Sequence, residues 1–398
     1  MSLSDKREKL RPHVAVLVDS TGNYGRLLLL GIAEYAETQE NWSLFIETRG
    51  TGRLNTRWLE NWAGDGILAY IEDINTASSL LQAGIPIVET YGHACFPDVP
   101  SVGNDDIAIG RMAGEHLAER RFIHFGYCGY PSQSWCKLRL QGFREAVDKR
   151  ASWFDTHFIP RSFPSLRRWE KSQVALGKWL IEAPKPLGLM ACSDRCAQQV
   201  LDACRRVNLK VPDQVAVLGS DNDEVLCRVS DPPLSSVADN PRKIGYEAAR
   251  LLSRLMLEKR SSEERMEPIM IPPQGVITRR STEAMVTDDA IIAQALQYIR
   301  DHASESIDAS AVVRQFPLSR SAFYRRFSDA VGHSPHEEII RVRINRIREL
   351  LVQTSLPLSR IAHLSGFGHT EYMVAVFKRR VGITPGKYRT KHRIVIDN

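Results

Sequence analysis

The chain has 398 residues, 43% hydrophobic and 25% charged. That is long enough for two or three domains with real cores, and too ordinary a composition for a disordered, collagen-like or disulfide-framed protein. No apolar run is long enough to span a bilayer, and the opening MSLSDKREKL lacks the apolar stretch of a secretory signal. The net charge of +6 is unevenly spread: residues 288–398 hold 17 Lys and Arg against 11 Asp and Glu, and from Ser310 onward the count is 16 against 6. A neutral body with a basic end points to a nucleic-acid partner; a solvated basic surface is the plainer alternative.

In chain order, short β-rich runs occur at His13–Val18, Ser43–Thr48, Ile67–Ile71, Pro86–Thr90, Phe122–Tyr127, Leu187–Ala191 and Val215–Gly219. Helical stretches separate most of them. Tyr24–Thr38 places Leu28, Ile32 and Tyr35 on one face, and Ile107–Glu119 places Ile109, Met112, Ala113 and His116 on one. Ser193–Asn208 and Asn240–Leu257 read the same way. Strands alternating with helices predict α/β units with parallel sheets, as one sheet or as two similar lobes.

Ligands of such folds bind at the carboxyl ends of the strands. Asp19 and Ser20 follow the first run, Glu47 and Thr48 end the second, and Glu72 and Asp73 end the third. Asp194 follows the sixth, Asp221 and Asn222 follow the seventh, and Arg139 is expected to start a helix. Carboxylates that accept paired hydroxyl bonds, with an Arg donating several, suit a polyhydroxylated neutral ligand such as a sugar. Helix caps and turns would use the same residue types.

The seven cysteines, Cys95, Cys128, Cys136, Cys192, Cys196, Cys204 and Cys227, form no C-x-x-C pair. They read as reduced thiols of a cytosolic protein, with neither a disulfide framework nor a metal site. Gly22 and Gly25 do not complete a dinucleotide fingerprint, and there is no P-loop, G-x-S-x-G or H-E-x-x-H. No cofactor is expected, and no motif supports an enzyme.

Three segments carry a family likeness: VGNDDIAIGRMAGEHL, PLGLMACSDRCAQQVLDACRRVNLKVPDQVAVLGSDNDE and PPLSSVADNPRKIGYEAARLL, followed by MIPPQGVITRRST. Together, over residues 12–281, they resemble the sugar-sensing domains of LacI-type repressors. The resemblance implies the type I periplasmic-binding-protein fold, two α/β lobes with the ligand in the cleft between them. It implies ligand contacts at Arg139, Asp194 and Asp221. Many relatives carry Asp-Arg after the fourth run, where this chain has Tyr91-Gly92.

Ser281–Thr287 is short and polar and reads as a linker, dividing a sugar-sensing region, 1–284, from a C-terminal region, 285–398. After a capping helix over Asp288–Ala303, the second region repeats itself. Phe327, Val331, Gly332, Ser334 and Pro335 recur as Phe377, Val381, Gly382, Thr384 and Pro385, each 50 residues on. Each unit has a short helix and tight turn in front: Ser310–Phe316 before Pro317–Ser319, and Ser359–Leu364 before Ser365–Phe367. This predicts an all-α double helix-turn-helix. Pro335–Gln353 joins the units, with Ile340, Ile344, Ile347 and Leu351 as a seam and Arg341, Arg343, Arg346 and Arg348 elsewhere. Two second helices so joined can enter adjacent major-groove turns of double-stranded DNA. Arg320, Arg325 and Arg326, with Lys378, Arg379 and Arg380, would supply phosphate or base contacts.

IAHLSGFGHTEYMVAVFKRRVGITPGKYR resembles the signature of AraC-family transcription regulators, matching at Ile361, Ala362, Ser365, Gly366, Phe367, Tyr372, Phe377, Lys378, Gly382, Thr384, Pro385, Tyr388 and Arg389. The resemblance implies base reading by Ser321, Tyr324 and Arg325 in the first unit. In the second it implies reading by His369, Thr370, Glu371 and Ala375, Ala375 being shorter than its counterparts. A LacI-type sensor before an AraC-type end is similar to the bacterial activators of xylose operons. This implies a D-xylose-dependent activator of catabolic genes, a cytoplasmic homodimer on operator direct repeats, with RNA polymerase as a further partner and no membrane. The alternatives are a regulator, repressor or activator, of another sugar or phosphosugar, and a sugar-acting enzyme with a basic tail.

Overall fold

Strand β1 (His13–Val18) is buried at every position after the first, as the continuous apolar run of a central parallel strand must be. The computed structural model describes residues 11–48, 62–71, 74–82, 84–91, 99–258, 266–284, 286–287, 289–305 and 307–392. The first lobe continues through α1 (Asn23–Tyr35), β2 (Ser43–Thr48), β3 (Gly66–Ala69), α2 (Ile74–Leu81), β4 (Ile87–Glu89) and β5 (Val102–Asn104). Its parallel sheet has the order β2-β1-β3-β4, with Val14 opposite Leu44 on one side and Gly66 on the other.

The chain then enters a second lobe: α3 (Asp106–Glu119), β6 (His124–Gly129), α4 (Ser134–Val147), β7 (Trp153–Phe158), α5 (Leu166–Glu182), β8 (Leu187–Ala191), α6 (Asp194–Arg206), β9 (Val215–Ser220), α7 (Glu224–Val229) and β10 (Ser235–Ala238). It returns to the first lobe for α8 (Pro241–Glu258) and β11 (Ile269–Ile271), which pairs with β5, and crosses again to β12 (Gly275–Ile277). The second sheet has the order β12-β10-β9-β8-β6-β7, antiparallel only at β12. The choice between one sheet and two lobes is thereby settled: there are two lobes, joined by three chain crossings.

Helices α3 and α4 meet closely through glycine. A Cβ on Gly110 would overlap the carbonyl of Arg139, and one on Gly142 would overlap that of Ile107. This contact brings the first residue of α3, Asp106, against the second turn of α4. Arg139 therefore lies inside a helix, not at its start. Strands β5, β7, β10, β11 and β12 and helices α2, α5 and α7 were not foreseen. Most of these strands have three or four residues, too few for a period, and β7 is a half-exposed edge strand.

The C-terminal module comprises α9 (Ala290–His302), α10 (Ala309–Val313), α11 (Arg320–Val331), α12 (Pro335–Gln353), α13 (Leu358–Leu364), α14 (Thr370–Val381) and α15 (Pro385–His392). It has two cores. Ile292, Leu296, Ile299, Phe323 and Phe327 build the first with Ile339 and Val342 of α12. Ile361, Phe367, Met373 and Phe377 build the second with Ile340, Ile344, Ile347 and Leu351 of α12. The spacer helix thus belongs to both units. Gly332 and Gly382 end the equivalent helices at φ 86° and 83°, a left-handed cap that favours glycine.

The predicted linker is not free chain. Ser281 and Thr282 are fully buried, and Glu283 and Ala284 nearly so. The Ser281 hydroxyl donates to the Val217 carbonyl at 2.6 Å and accepts from the Ser235 amide at 2.8 Å. Hydroxyls that suggest a solvated loop here satisfy strand backbone instead.

Candidate functional site

A cleft of about 180 Å³ opens between the lobes at the carboxyl ends of the strands. Asp19, Asn23, Tyr24, Tyr70, Thr90, Tyr91 and Asn104 line it from the first lobe side, and Tyr130, Trp135, Arg139, Arg161, Ser193, Arg195, Asp221 and Asp223 from the second. The Tyr91 ring lies 4.2 Å from that of Tyr70 and 5.7 Å from that of Tyr24, both tilted, and the three form an aromatic wall. Gly25 is required where it stands, because a Cβ there would overlap the Asp19 carbonyl.

Arg139 organises the floor. Its Nε donates to Asp106 Oδ1 at 2.7 Å, and one terminal nitrogen donates to the Cys192 carbonyl at 2.7 Å and Asp221 Oδ1 at 3.0 Å. Burial opposes its charge, but Asp106 and Asp221 outweigh burial and hold the guanidinium well above its ordinary range. One cation cannot satisfy the surrounding acids. Burial, against the pull of Arg139, pushes Asp106 up to about 6. Burial and the neighbouring Asp221 push Asp194 up to about 8 and Asp239 well above the ordinary carboxyl range.

Several buried polar atoms of cleft-lining residues have no hydrogen-bond partner: Tyr24 OH, Thr90 Oγ1 and Asn104 Oδ1. Native proteins rarely leave such groups unsatisfied. A small ligand offering hydroxyls as both donors and acceptors would complete them.

The predicted ligand residues divide by position. Asp19, Arg139 and Asp221 line the cleft. Asp194 does not: it is fully buried behind the floor, where it accepts from Ser236 Oγ at 2.6 Å and the Asp223 amide at 2.7 Å and fastens the loop bearing Asp221. Glu47 ends the edge strand β2 and is likewise not a lining residue. Glu72 and Asp73 lie outside the described residues, as does Cys95; the other six cysteines are buried thiols. Sequence reasoning missed Tyr24, Trp135, Arg161, Arg195 and the role of Asp106. Asn104 and Asp106 stood in the VGNDD segment, but nothing local marks which of its polar residues turns toward the cleft.

In the C-terminal module, α11 and α14 bury one face and expose the other. Arg320, Ser321 and Arg325 are exposed, and Tyr324 is half-buried with the Arg320 guanidinium 5.5 Å over its ring. His369, Glu371, Ala375, Lys378 and Arg379 are exposed on α14 or its cap, and Thr370 is half-buried. Arg326 is committed elsewhere, donating to both oxygens of Asp289 at 2.7 and 2.8 Å. Arg380 lies 3.6 Å from Glu337, Arg341 is held by Glu338, and Arg343 donates to the Ala303 and Ile307 carbonyls. Two of the spacer arginines, Arg341 and Arg343, thus serve as internal struts.

The chain matches the XylR N-terminal domain family over residues 13–107, the periplasmic binding protein-like domain family over 115–282 and a helix-turn-helix domain family over 312–391. It is 32% identical to the xylose operon regulatory protein of Escherichia coli K12 over 387 residues, 95% of this chain and 97% of that one. The chain belongs to the family of xylose operon regulatory proteins. A Haemophilus influenzae member is 30% identical over 94% of this chain and 97% of its own length. The solved structure of a xylose-binding transcription activator, XylR, superposes with a TM-score of 0.70 at 30% identity, covering 97% of this chain and all of that one. The family assignment makes this protein a sugar-responsive transcription regulator with a DNA-binding helix-turn-helix end. No helix among the described residues is long and apolar enough to cross a membrane.

Proposed function

We propose that the inter-lobe cleft binds D-xylose and that the bound sugar strengthens binding of residues 285–398 to operator direct repeats, activating xylose-catabolic genes. The observation that carries this reading is similarity to xylose operon regulators along nearly the whole chain, sensor and DNA-binding end together. The cleft chemistry agrees: polar with three aspartates and three arginines, aromatic-walled and holding unpartnered polar atoms suited to a neutral polyol. In this reading Asp19, Arg139 and Asp221 bond sugar hydroxyls, while Asp194 positions Asp221 from behind. Arg320, Ser321, Tyr324 and Arg325 contact DNA in one groove turn, and His369, Thr370, Glu371, Lys378 and Arg379 in the next. The protein works in the cytoplasm as a homodimer that recruits RNA polymerase, and it catalyses no reaction.

The test is a calorimetric panel of aldopentoses, aldohexoses and their phosphates, followed by footprinting with and without the best binder. D-xylose should bind most tightly and extend protection over two repeats. Preference for another sugar reassigns the effector, and protection lost on adding sugar reassigns the protein as a repressor.

A further inference from the structure

The cleft and the DNA-binding module lie on opposite sides of the second lobe, and a continuous set of buried and part-buried hydrogen bonds runs between them. It begins at the loop after β9, where Asp221 and Asn222 hold φ values of 106° and 48°. Asp221 lines the cleft and bonds Arg139. Asn222 donates its amide to Ser236 Oγ at 3.0 Å, and its side-chain oxygen accepts from an Arg279 terminal nitrogen at 2.9 Å.

Arg279 is 4% exposed. Its other terminal nitrogen donates to the Leu234 carbonyl at 2.8 Å, and its amide donates to Ser235 Oγ at 2.7 Å. From there the chain makes one 3-10 turn over Arg280–Thr282, with Ser281, Thr282 and Glu283 buried against the lobe. His116 Nε2 lies 2.9 Å from Thr282 Oγ1, and Arg120 Nε donates to the Thr282 carbonyl at 2.9 Å. The run ends at Glu283, whose Oε1 accepts from Asn345 Nδ2 at 3.0 Å in a contact buried on both sides. Asn345 lies in the middle of α12, the helix whose apolar residues build both helix-turn-helix cores.

We propose that Asn222, Arg279, Glu283 and Asn345 are the positioning residues that transmit the state of the sugar cleft to both DNA-reading units at once. The assignment rests on the reading of the cleft as the sugar site. A displacement of the Asp221–Asn222 loop pulls on Arg279. Arg279 and residues 281–283 are buried and hydrogen-bonded along that run, and Asn345 receives the displacement on the helix that contributes to both cores. Other junction contacts lack this connection. The Asp213–Arg300 ion pair and the bond from Arg121 to the Ala330 carbonyl join the module to segments preceding β9 and β6, at the ends of the strands away from the cleft. Spatial continuity alone does not establish coupling, which has to be measured as a free energy between sites.

The measurement is the affinity of the full-length protein for D-xylose, by calorimetry, alone and saturated with a duplex carrying two half-sites selected in vitro with the wild-type protein. The ratio of the two affinities is the coupling factor, about 5 to 150 in typical coupled systems. Arg279→Gln and Asn345→Ala should each bring the factor close to one. Both should keep the sugar affinity of the free protein and the affinity for a single half-site within about threefold, well under one decade of binding energy. The double variant should lose no more than either single one, because both cut the same line. Glu283→Gln retains the acceptor for Asn345 and should retain the coupling, which guards against a variant that merely misfolds. Arg300→Gln loosens the docking alone and should also retain it. Full coupling in Asn345→Ala, effects that multiply in the double variant, or an equal loss in Arg300→Gln would each overturn the relay. A wild-type protein with no coupling at all would remove the functional reading as well.

Discussion

Asp221→Asn should weaken D-xylose binding by about ten- to a hundredfold and leave half-site DNA binding intact. Asp221 sits where the cleft charge is set: it lines the cavity, accepts from Arg139 at 3.0 Å and is 29% exposed on its side chain. Asn keeps the shape and tolerates a φ of 106°, which Ala would not, so the loss reports charge rather than backbone strain. A hydrogen bond to a charged group contributes about 1.5–3 kcal/mol, and about 1.4 kcal/mol is a factor of ten in affinity. Calorimetry reads this directly, and thermal unfolding reads it independently. At a sugar concentration of about 100 Kd the wild-type protein gains about 2.7 kcal/mol of stability, and a variant binding a hundredfold more weakly gains only about 0.4 kcal/mol at the same concentration. Unfolding without sugar should change little, since the neutral amide also relieves the repulsion that raises Asp194 and Asp239. Unchanged sugar affinity would assign Asp221 to a structural turn and refute the reasoning.

Asp106 and Asp194 should each make the unliganded protein less stable as pH rises. Asp106 goes from an ordinary 3.8 to about 6 and Asp194 to about 8, so the folded state holds protons that the unfolded chain releases. The contribution is complete below about pH 4 and is lost as pH rises toward 6 and 8, for Asp106 about 3 kcal/mol as an upper figure. Asp106→Asn, which keeps an acceptor for Arg139, should flatten the part of the unfolding profile between pH 4 and 6; an unaltered slope would exclude Asp106 as its source. Arg325→Ala should lower operator affinity about tenfold or more without changing the melting temperature, whereas Arg326→Ala, by freeing Asp289, should act chiefly on stability; gel shifts and calorimetry on both variants separate the roles. Residues 285–398 alone should bind DNA with an affinity that falls steeply with salt through counterion release, and a salt-independent affinity would argue against phosphate contacts. Inserting about ten Gly and Ser residues after Thr287 should reduce the sugar dependence of two-site binding while sparing half-site binding; equal sugar dependence in the longer protein would count against mechanical coupling.

The features legible in the sequence were those carried by local chemistry or by a repeated period. The central strands β1 and β8 read correctly because continuous apolar runs bounded by polar residues describe a strand buried on both faces. The double helix-turn-helix was visible as the 50-residue recurrence of Phe, Val, Gly and Pro, since each unit needs the same core aromatic and the same left-handed glycine cap. The tertiary structure decided which polar residues meet. Asp194 and Asp221 look alike in sequence, each an acid after a strand, yet one is sealed behind the floor and the other faces the cleft. Arg325 and Arg326 are neighbours on one helix, and the helical twist sends one to solvent and the other to Asp289. Residues 281–284 begin a stretch with the composition of a linker but lie buried, because the Ser281 hydroxyl finds a strand carbonyl and a strand amide that are distant in sequence. Hydrophobic periodicity is a property of adjacent residues. The fate of a polar side chain depends on partners supplied by other elements, and only the packing of those elements determines where they are.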